Sequence, residues 1–411
     1  MKKNLRDYQQ QNAIDCAEIL KKHNIVYLQH SVRTGKTATA LETIRLNVFK
    51  NVLFITKKKA ISSIEEDYID FCFNAYFKLT VTNYEAIHKL ESNDFDCVVL
   101  DENHVNSAFP KPSKRTKEIR LKFGFLPMVM LSGTPATESS SQWYHQFWMS
   151  FHSPFAMYVN FYKWAKDYVD VQQRNLGYGL INDYSKGIDE KINESIKHLV
   201  HKFTQEEAGF QSKVTENILF FDMLPITNNL INRLKKDLVI EGKNDLIVAD
   251  TSAKLLQKIH QLENGTIKFE SGNTKVLDDS KARFIKKYFE GKKIAILYYY
   301  IAEFELLKTV FDNYTSDLHE FNTTDKIFIG QQYSNSLGVN LSSADFLVFY
   351  NFSYSGTNFI QAIDRLTTMN RMKNDVYFIF SKGSLSEKIF NVVSKKKNYT
   401  NKMFEKDFVS L

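Results

Sequence analysis

The sequence predicts an α/β protein with two parallel-sheet lobes and an α-helical insertion between them. Short apolar runs alternate with longer amphipathic stretches in the first third of the chain. The same rhythm returns near the C-terminus, and the span between is aromatic-rich at helical spacing. Strands that alternate with helices give βαβ units, hence parallel sheets covered on both faces. In the first lobe, residues 1–140, strand candidates are 25–30, 52–56, 96–100 and 128–132, with helices at 37–49 and 61–71. The second lobe, 251–411, offers strands at 293–300, 326–330, 346–351 and 376–381, with helices at 304–311 and 359–369. Residues 141–250 read as a helical insertion and connector, with helical patterns at 142–151, 159–169, 188–205 and 230–238. Its three tryptophans, Trp143, Trp148 and Trp164, read as core residues rather than platforms for stacked bases.

Composition fits this reading. A chain of 411 residues suggests two domains rather than one small core. Phe (33) and Tyr (21) outnumber Gly (15) and Pro (6), which favours regular, filled layers over disorder. A net charge of +7 permits binding to a phosphate backbone without requiring it. Cys16, Cys72 and Cys97 are isolated, so neither a disulfide framework nor a zinc site is expected, and a reducing compartment is. The N-terminus runs straight into a motif, and no run approaches the ~18 apolar residues of a membrane span. A cytoplasmic monomer is expected.

The chemistry begins at Ser31–Gly35, a loop between the 25–30 strand and the helix that follows. Free backbone N–H groups at a helix start attract anions. In Arg33-Thr34-Gly35-Lys36-Thr37, Gly35 allows close approach to phosphates, Lys36 reaches the β/γ-phosphates and the Thr37 hydroxyl suits Mg²⁺. The full pattern has Gly five residues before Gly35, where this chain has His30. A buried parallel strand then ends in Asp101-Glu102, and strand carboxyl ends are where open α/β sheets bind ligands. Asp101 is placed to hold Mg²⁺, and Glu102 to polarise the attacking water. Adjacent carboxylates at a strand end are costly without a compensating cation. Arg6, Tyr8 and Gln9 precede the loop: Gln pairs with an adenine edge, and Tyr or Arg covers the ring. Asp7 also reads as a helix start.

In this order the motifs resemble superfamily-two helicases, most closely the Swi/Snf-type DNA translocase branch in a compact, phage-like version. The resemblance spans nearly the whole chain. Residues 5–9 resemble the adenine-reading motif, 33–37 motif I, 57–59 the position of motif Ia, and 81–85, with Tyr84, motif Ib. Residues 101–104, Asp-Glu-Asn-His for the more usual Asp-Glu-Ala-His, resemble motif II. Ser132-Gly133-Thr134-Pro135 resembles motif III, 294–300 motif IV, Gly338–Leu341 motif V and Gln361–Arg365 motif VI. This resemblance implies two RecA-like lobes that share ATP and Mg²⁺. It implies that His104, Ser132 and Thr134 couple ATP to nucleic acid, and that Gly338 and Gln361 meet the nucleotide. Asn340 would meet the strand, and Arg365 would bring positive charge to the γ-phosphate. Two departures stand out. Arg33 replaces a Gly, and Thr368 replaces a second arginine, a loss that Arg371, one helical turn on, is placed to cover; without it turnover is slow.

Lys57, Lys58 and Lys59 are expected to contact phosphates without reading sequence. Lys111, Lys114, Arg115 and Lys117 form a second basic stretch, and 395–397 a solvated one. The expected function is an ATP-dependent DNA translocase or helicase, without sequence specificity, acting on duplex, forked or single-stranded DNA. Replication or recombination proteins are the expected partners. A catalytically weak ATP-gated clamp and an RNA-directed helicase remain open alternatives.

Overall fold

Alternate residues of one strand belong to two different cores: Ile25 and Tyr27 to one, Val26 and Leu28 to the other. Successive side chains of a strand point to opposite faces, so this sheet is covered on both. The computed structural model describes residues 3–91, 94–175, 180–210, 213–242, 245–332, 341–363, 373–395, 399, 401–404 and 407. The chain divides into two compact units, Met1–Phe210 and Gln211–Leu411.

In the first unit the order is α1 (Asp7–His23), β1 (Ile25–His30), α2 (Lys36–Leu46), β2 (Asn51–Thr56), α3 (Ile61–Asp70), β3 (Lys78–Asn83) and β4 (Cys97–Leu100). Then follow α4 (Lys114–Phe123), β5 (Met128–Leu131), α5 (Trp143–Trp148), α6 (Phe161–Tyr168), β6 (Gln172–Asn175), β7 (Leu180–Asp183), α7 (Asp189–Ile196) and β8 (Val200–Phe203). The strands form a parallel sheet in the order β3-β2-β4-β5-β1-β8, with β6 and β7 a separate hairpin. Helices α1, α2 and α3 fill one face through Cys16, Leu20, Leu41, Ile44 and Ile64. The other face is filled by Ile119, Phe123, Trp143, Phe147, Trp164 and Ile192.

The second unit runs β9 (Lys213–Phe220), α8 (Pro225–Asp237), β10 (Val239–Glu241), β11 (Leu246–Val248), α9 (Ser252–Glu263), β12 (Thr266–Lys268), β13 (Thr274–Val276) and α10 (Ser280–Tyr288). It continues with β14 (Ile294–Tyr298), α11 (Ile301–Val310), β15 (Tyr314–Thr315), α12 (Leu318–Thr323), β16 (Ile327–Gln331) and β17 (Phe346–Phe349). It closes with α13 (Gly356–Ile363), β18 (Lys373–Phe380), α14 (Leu385–Val393) and α15 (Asn401–Phe404). Its parallel sheet has the order β15-β16-β14-β17-β18-β9. Again alternate residues part: Ala295 and Leu297 face one core, Ile294 and Ile296 the other.

Two parallel-sheet units are as expected, but the helical insertion between them needs correction. Residues 141–250 carry strands β6 to β11 as well as helices. The helix expected at 188–205 stops at Ile196, because 200–203 pair with β1 and complete the first sheet. Strand β9 is unexpected, because Lys213–Phe220 carries no apolar/polar alternation; its exposure alternates only through its pairing with β18. The aromatic stretch is a layer of the first unit. Trp164 is fully buried, Trp143 is buried and Trp148 packs against the same core. Among the described residues, no helix is long and apolar enough to cross a membrane.

Candidate nucleotide site

Three neighbouring strands, β4, β5 and β1, each end in one of the motifs. β1 runs into Ser31–Gly35, and α2 starts at Lys36 with Gly35 as its left-handed cap at φ 78°. A side chain at Gly35 would be strained by that φ, and the Gln9 amide already fills the space its Cβ would take. Lys36 Nζ donates to the carbonyls of His30 and Ser31, each at 3.1 Å. Thr34 Oγ1 donates to Ser31 O at 2.8 Å, and Gln205 Nε2 braces the loop at Val32 O, 3.0 Å away. Arg33 holds φ 62°.

Asp101 and Glu102 follow β4. Thr56 Oγ1, at the end of adjacent β2, donates to Asp101 Oδ2 at 2.7 Å, and Tyr84 Oη donates to Asp101 O at 2.6 Å. Burial and then the Glu102 charge push the Asp101 carboxyl above the usual range. Glu102 goes the other way. Burial alone would raise it, but the His104 hydrogen bond and charge, with Lys36 and Lys57, hold it below the usual range. Adjacent carboxyls that titrate apart in this way can take different roles. Glu102 sits in the left-handed region at φ 48°, ψ 45°.

His104 Nδ1 lies 3.1 Å from Glu102 Oε2 and 3.1 Å from Ser132 Oγ. Ser132 Oγ accepts the Thr134 N–H at 3.1 Å. Motif II and motif III residues are therefore joined by side-chain contacts across β4 and β5. Asn103, at the position where the resemblance expects Ala, is fully buried. It donates to Met130 Sδ at 3.0 Å and accepts from Asn106 at 3.0 Å.

Other expected residues fall differently. Gln9, expected at an adenine edge, is buried and accepts the Arg6 N–H at 2.9 Å. Tyr8 stacks on Phe203, ring centroids 5.2 Å apart, and its hydroxyl accepts from Arg6 at 2.8 Å. Tyr84, expected at the nucleic-acid face, is only 3% exposed, so it supports motif II from beneath rather than lying open to a strand. Lys57 is half-buried and couples to Glu102, whereas Lys58, Lys59, Lys111, Lys114 and Lys117 are exposed. Gly338, Asn340, Arg365, Thr368 and Arg371 lie outside the described residues, as does the side chain of Gln361, whose backbone is in α13.

Sequence reasoning missed Thr56, Gln205 and Phe203. Each reaches the site through strand pairing or a loop crossing, which leaves no local motif.

The donor set suits MgATP. Carboxylate and hydroxyl oxygens of Asp101 and Thr37 are hard ligands of the kind Mg²⁺ takes. Thr134 Oγ1 is buried without a hydrogen-bond partner among the described residues, next to the phosphate loop. Gly133 keeps that approach open: a Cβ there would lie 3.2 Å from His30 O and 3.7 Å from Lys36 Nζ.

No family model matches the chain. Over 72 residues it is 33% identical to the chromatin-remodeling ATPase INO80 of Mycosarcoma maydis, covering 17% of this chain and 4% of that protein. Over 84 residues it is 31% identical to INO80 of Pyricularia oryzae, covering 20% and 4%. The match thus spans a small part of those relatives' length. Among solved structures, the Sulfolobus solfataricus SWI2/SNF2 ATPase core in complex with dsDNA aligns at TM-score 0.43 and 16% identity, covering 99% of this chain and 93% of that one. The same core domain in another structure aligns at TM-score 0.42 and 15% identity, covering 96% and 89%. In its motif order and in the segments matched to INO80 alike, the chain is similar to the Swi/Snf-type branch of superfamily-two helicase-like ATPases.

Proposed function

We propose that the chain is a nucleic-acid-dependent ATPase that couples ATP hydrolysis to movement along DNA without reading sequence. The observation that carries this is the convergence of Lys36, Asp101, Glu102, His104 and Ser132 at the carboxyl ends of adjacent strands. That the INO80 relatives are chromatin-remodeling ATPases supports the nucleotide half of the reading.

Phosphoryl transfer has a loose transition state that is catalysed mainly by positioned charge. Lys36 is placed to meet the β/γ-phosphates from the helix start. Thr37 and Asp101 would hold Mg²⁺, which neutralises phosphate charge when bound. Thr56 and Tyr84 keep the Asp101 carboxylate and backbone in place. Glu102, ionised by its neighbours, orients the attacking water. His104, Ser132 and Thr134 carry the state of that carboxylate to the loop after β5. Arg365, with Arg371 in support, is proposed to bring the further cation, and Lys57, Lys58 and Lys59 to follow the backbone together with Asn340.

The test is ATP turnover measured in parallel on duplex, single-stranded and forked DNA and on RNA, with Glu102→Gln as control. Duplex stimulation that Glu102→Gln abolishes supports the proposal. Stimulation by RNA alone makes it an RNA-directed enzyme. ATP-dependent DNA binding without turnover favours the gated clamp, to which strained Arg33 gives some support. Turnover indifferent to every polymer overturns the reading.

A further inference from the structure

Three side chains far apart in sequence meet beside the root of the phosphate loop. Cys16 comes from the buried face of α1, His30 ends β1 and His201 lies on β8. One ligand atom from each, the Cys16 Sγ and a ring nitrogen of each histidine, all lie within 4.8 Å of one another. The sheet brings this about. β1 and β8 are parallel neighbours with Leu28 opposite His201, so His30 and His201 lie on the sheet face of Leu28. Helix α1 covers that face with Cys16 and Leu20.

The cluster is largely buried and offers nitrogen and sulfur donors. Cys16 and His30 are completely buried, and the His201 side chain is 16% exposed. His30 Nε2 lies 2.9 Å from His201 Nδ1. His30 Nδ1 is buried with no hydrogen-bond partner among the described residues. On the far side of the His201 ring, Nε2 is 3.5 Å from Asp15 Oδ2. A carboxylate there favours the proton on Nε2 and leaves the Nδ1 lone pair for the cluster, as behind many metal-bound histidines.

We propose that Cys16, His30 and His201 form a binding site for a thiophilic divalent cation, with Zn²⁺ the best match to the donor set. One thiolate and two imidazoles suit zinc and exclude hard cations such as Mg²⁺. Binding expels the Cys16 thiol proton to solvent and leaves a fourth position for water or a further ligand. The spacing rules that argue against zinc look for ligands close in sequence, whereas here a helix and two strands supply one each. Such a cation would tie α1, β1 and β8 together where His30 leads into the phosphate loop. Phe203, two residues beyond His201, carries the tie to Tyr8.

The test uses the full chain, freed of metal by chelation and titrated with Co²⁺ alone, without nucleotide, so its outcome is independent of the ATPase reading. One equivalent should bind, giving tetrahedral visible absorption and a thiolate-to-cobalt charge-transfer band. Cys16→Ser should remove the band, whereas Cys72→Ser should leave it. Asp15→Asn alters a side chain that is 44% exposed, so the fold should survive, and affinity should fall by about 10-fold or more. Zn²⁺ should displace Co²⁺ stoichiometrically and raise Tm in the parent but not in Cys16→Ser. A folded chain that binds no Co²⁺, or a charge-transfer band that survives Cys16→Ser, overturns the proposal.

Discussion

Replacing Thr56 with Val keeps the side-chain shape but removes the hydroxyl that donates to Asp101 Oδ2 at 2.7 Å. Thr56 is fully buried, so water cannot easily take its place. A hydrogen bond to a charged group is worth about 1.5–3 kcal/mol, and 1.36 kcal/mol is one pK unit. Asp101 is already raised by burial and by Glu102, and the Thr56 bond is among the influences that lower it. Losing that bond favours the neutral acid further. If ionised Asp101 is needed for MgATP, the acid limb of kcat/KM should move to higher pH by roughly 1–2 units. The apparent pKa belongs to the Asp101–Glu102 pair, so the shift is the quantity to compare. The assay is DNA-stimulated turnover across the acid limb for parent, Thr56→Val and Thr56→Ser. Thr56→Ser keeps a hydroxyl and should restore most of the parental profile. A folded Thr56→Val whose acid limb coincides with the parent's would refute the role given to Asp101.

Neutralising Lys57, Lys58 and Lys59 together should flatten the salt dependence of DNA affinity by up to about 0.9 per lost phosphate contact. Because Lys57 also faces Glu102, a Lys58/Lys59 double variant should keep ATP binding, and an unchanged salt slope would move the DNA path elsewhere. Arg33→Gly should relieve a left-handed geometry that costs a non-glycine residue roughly 1–2 kcal/mol, offset by about 0.5–1 kcal/mol of glycine's extra chain entropy. Urea unfolding should show a gain of at most about 1.5 kcal/mol, and a loss would mean that the contacts of the guanidinium outweigh its strain. Arg365→Ala should lower DNA-stimulated turnover by about 10³, the scale of an arginine finger, and Arg371→Ala by less. Parental turnover in Arg371→Ala would end its candidacy as a substitute for the arginine missing at Thr368.

The strands that carry the motifs were legible because each is a short apolar run ending abruptly in chemistry. Val98, Val99 and Leu100 before Asp101 show the pattern, as do Tyr27 and Leu28 before His30. What the sequence hid was set by neighbours. Tyr84 was read as a nucleic-acid contact because motif position says nothing about burial. Strand pairing with β1, which no local periodicity encodes, turned 200–203 from helix to strand. Gln9 could be recognised as part of a motif, but its packing against Gly35 depends on where α1 lies over the loop. The same limit applies to Cys16, His30 and His201, which are unremarkable residues until a helix and two strands bring them together.

The contacts among Glu102, His104 and Ser132 suggest how the two motifs are coupled. Glu102 adopts φ 48°, a left-handed geometry that is costly without glycine, and it turns away from the strand course just as β4 ends. That turn leaves Glu102 Oε2 3.1 Å from His104 Nδ1, and Ser132 Oγ is the same distance from the same nitrogen. A single N–H cannot be fully donated to two acceptors. When it is given to Glu102, the carboxylate is held low and is a weak base. Were the loop after β5 to move so that Ser132 took it, Glu102 would lose the partner that most lowers its pKa and would be better able to accept a proton from water. On the proposed function, a loop shift would thereby be translated into basicity at the carboxylate. Ser132→Ala should leave His104 committed to Glu102 and depress DNA stimulation more than basal turnover, and His104→Ala should make the Ser132 change nearly silent. Additive losses in the double variant would show that the two residues act separately, and would break the link drawn between motif II and motif III.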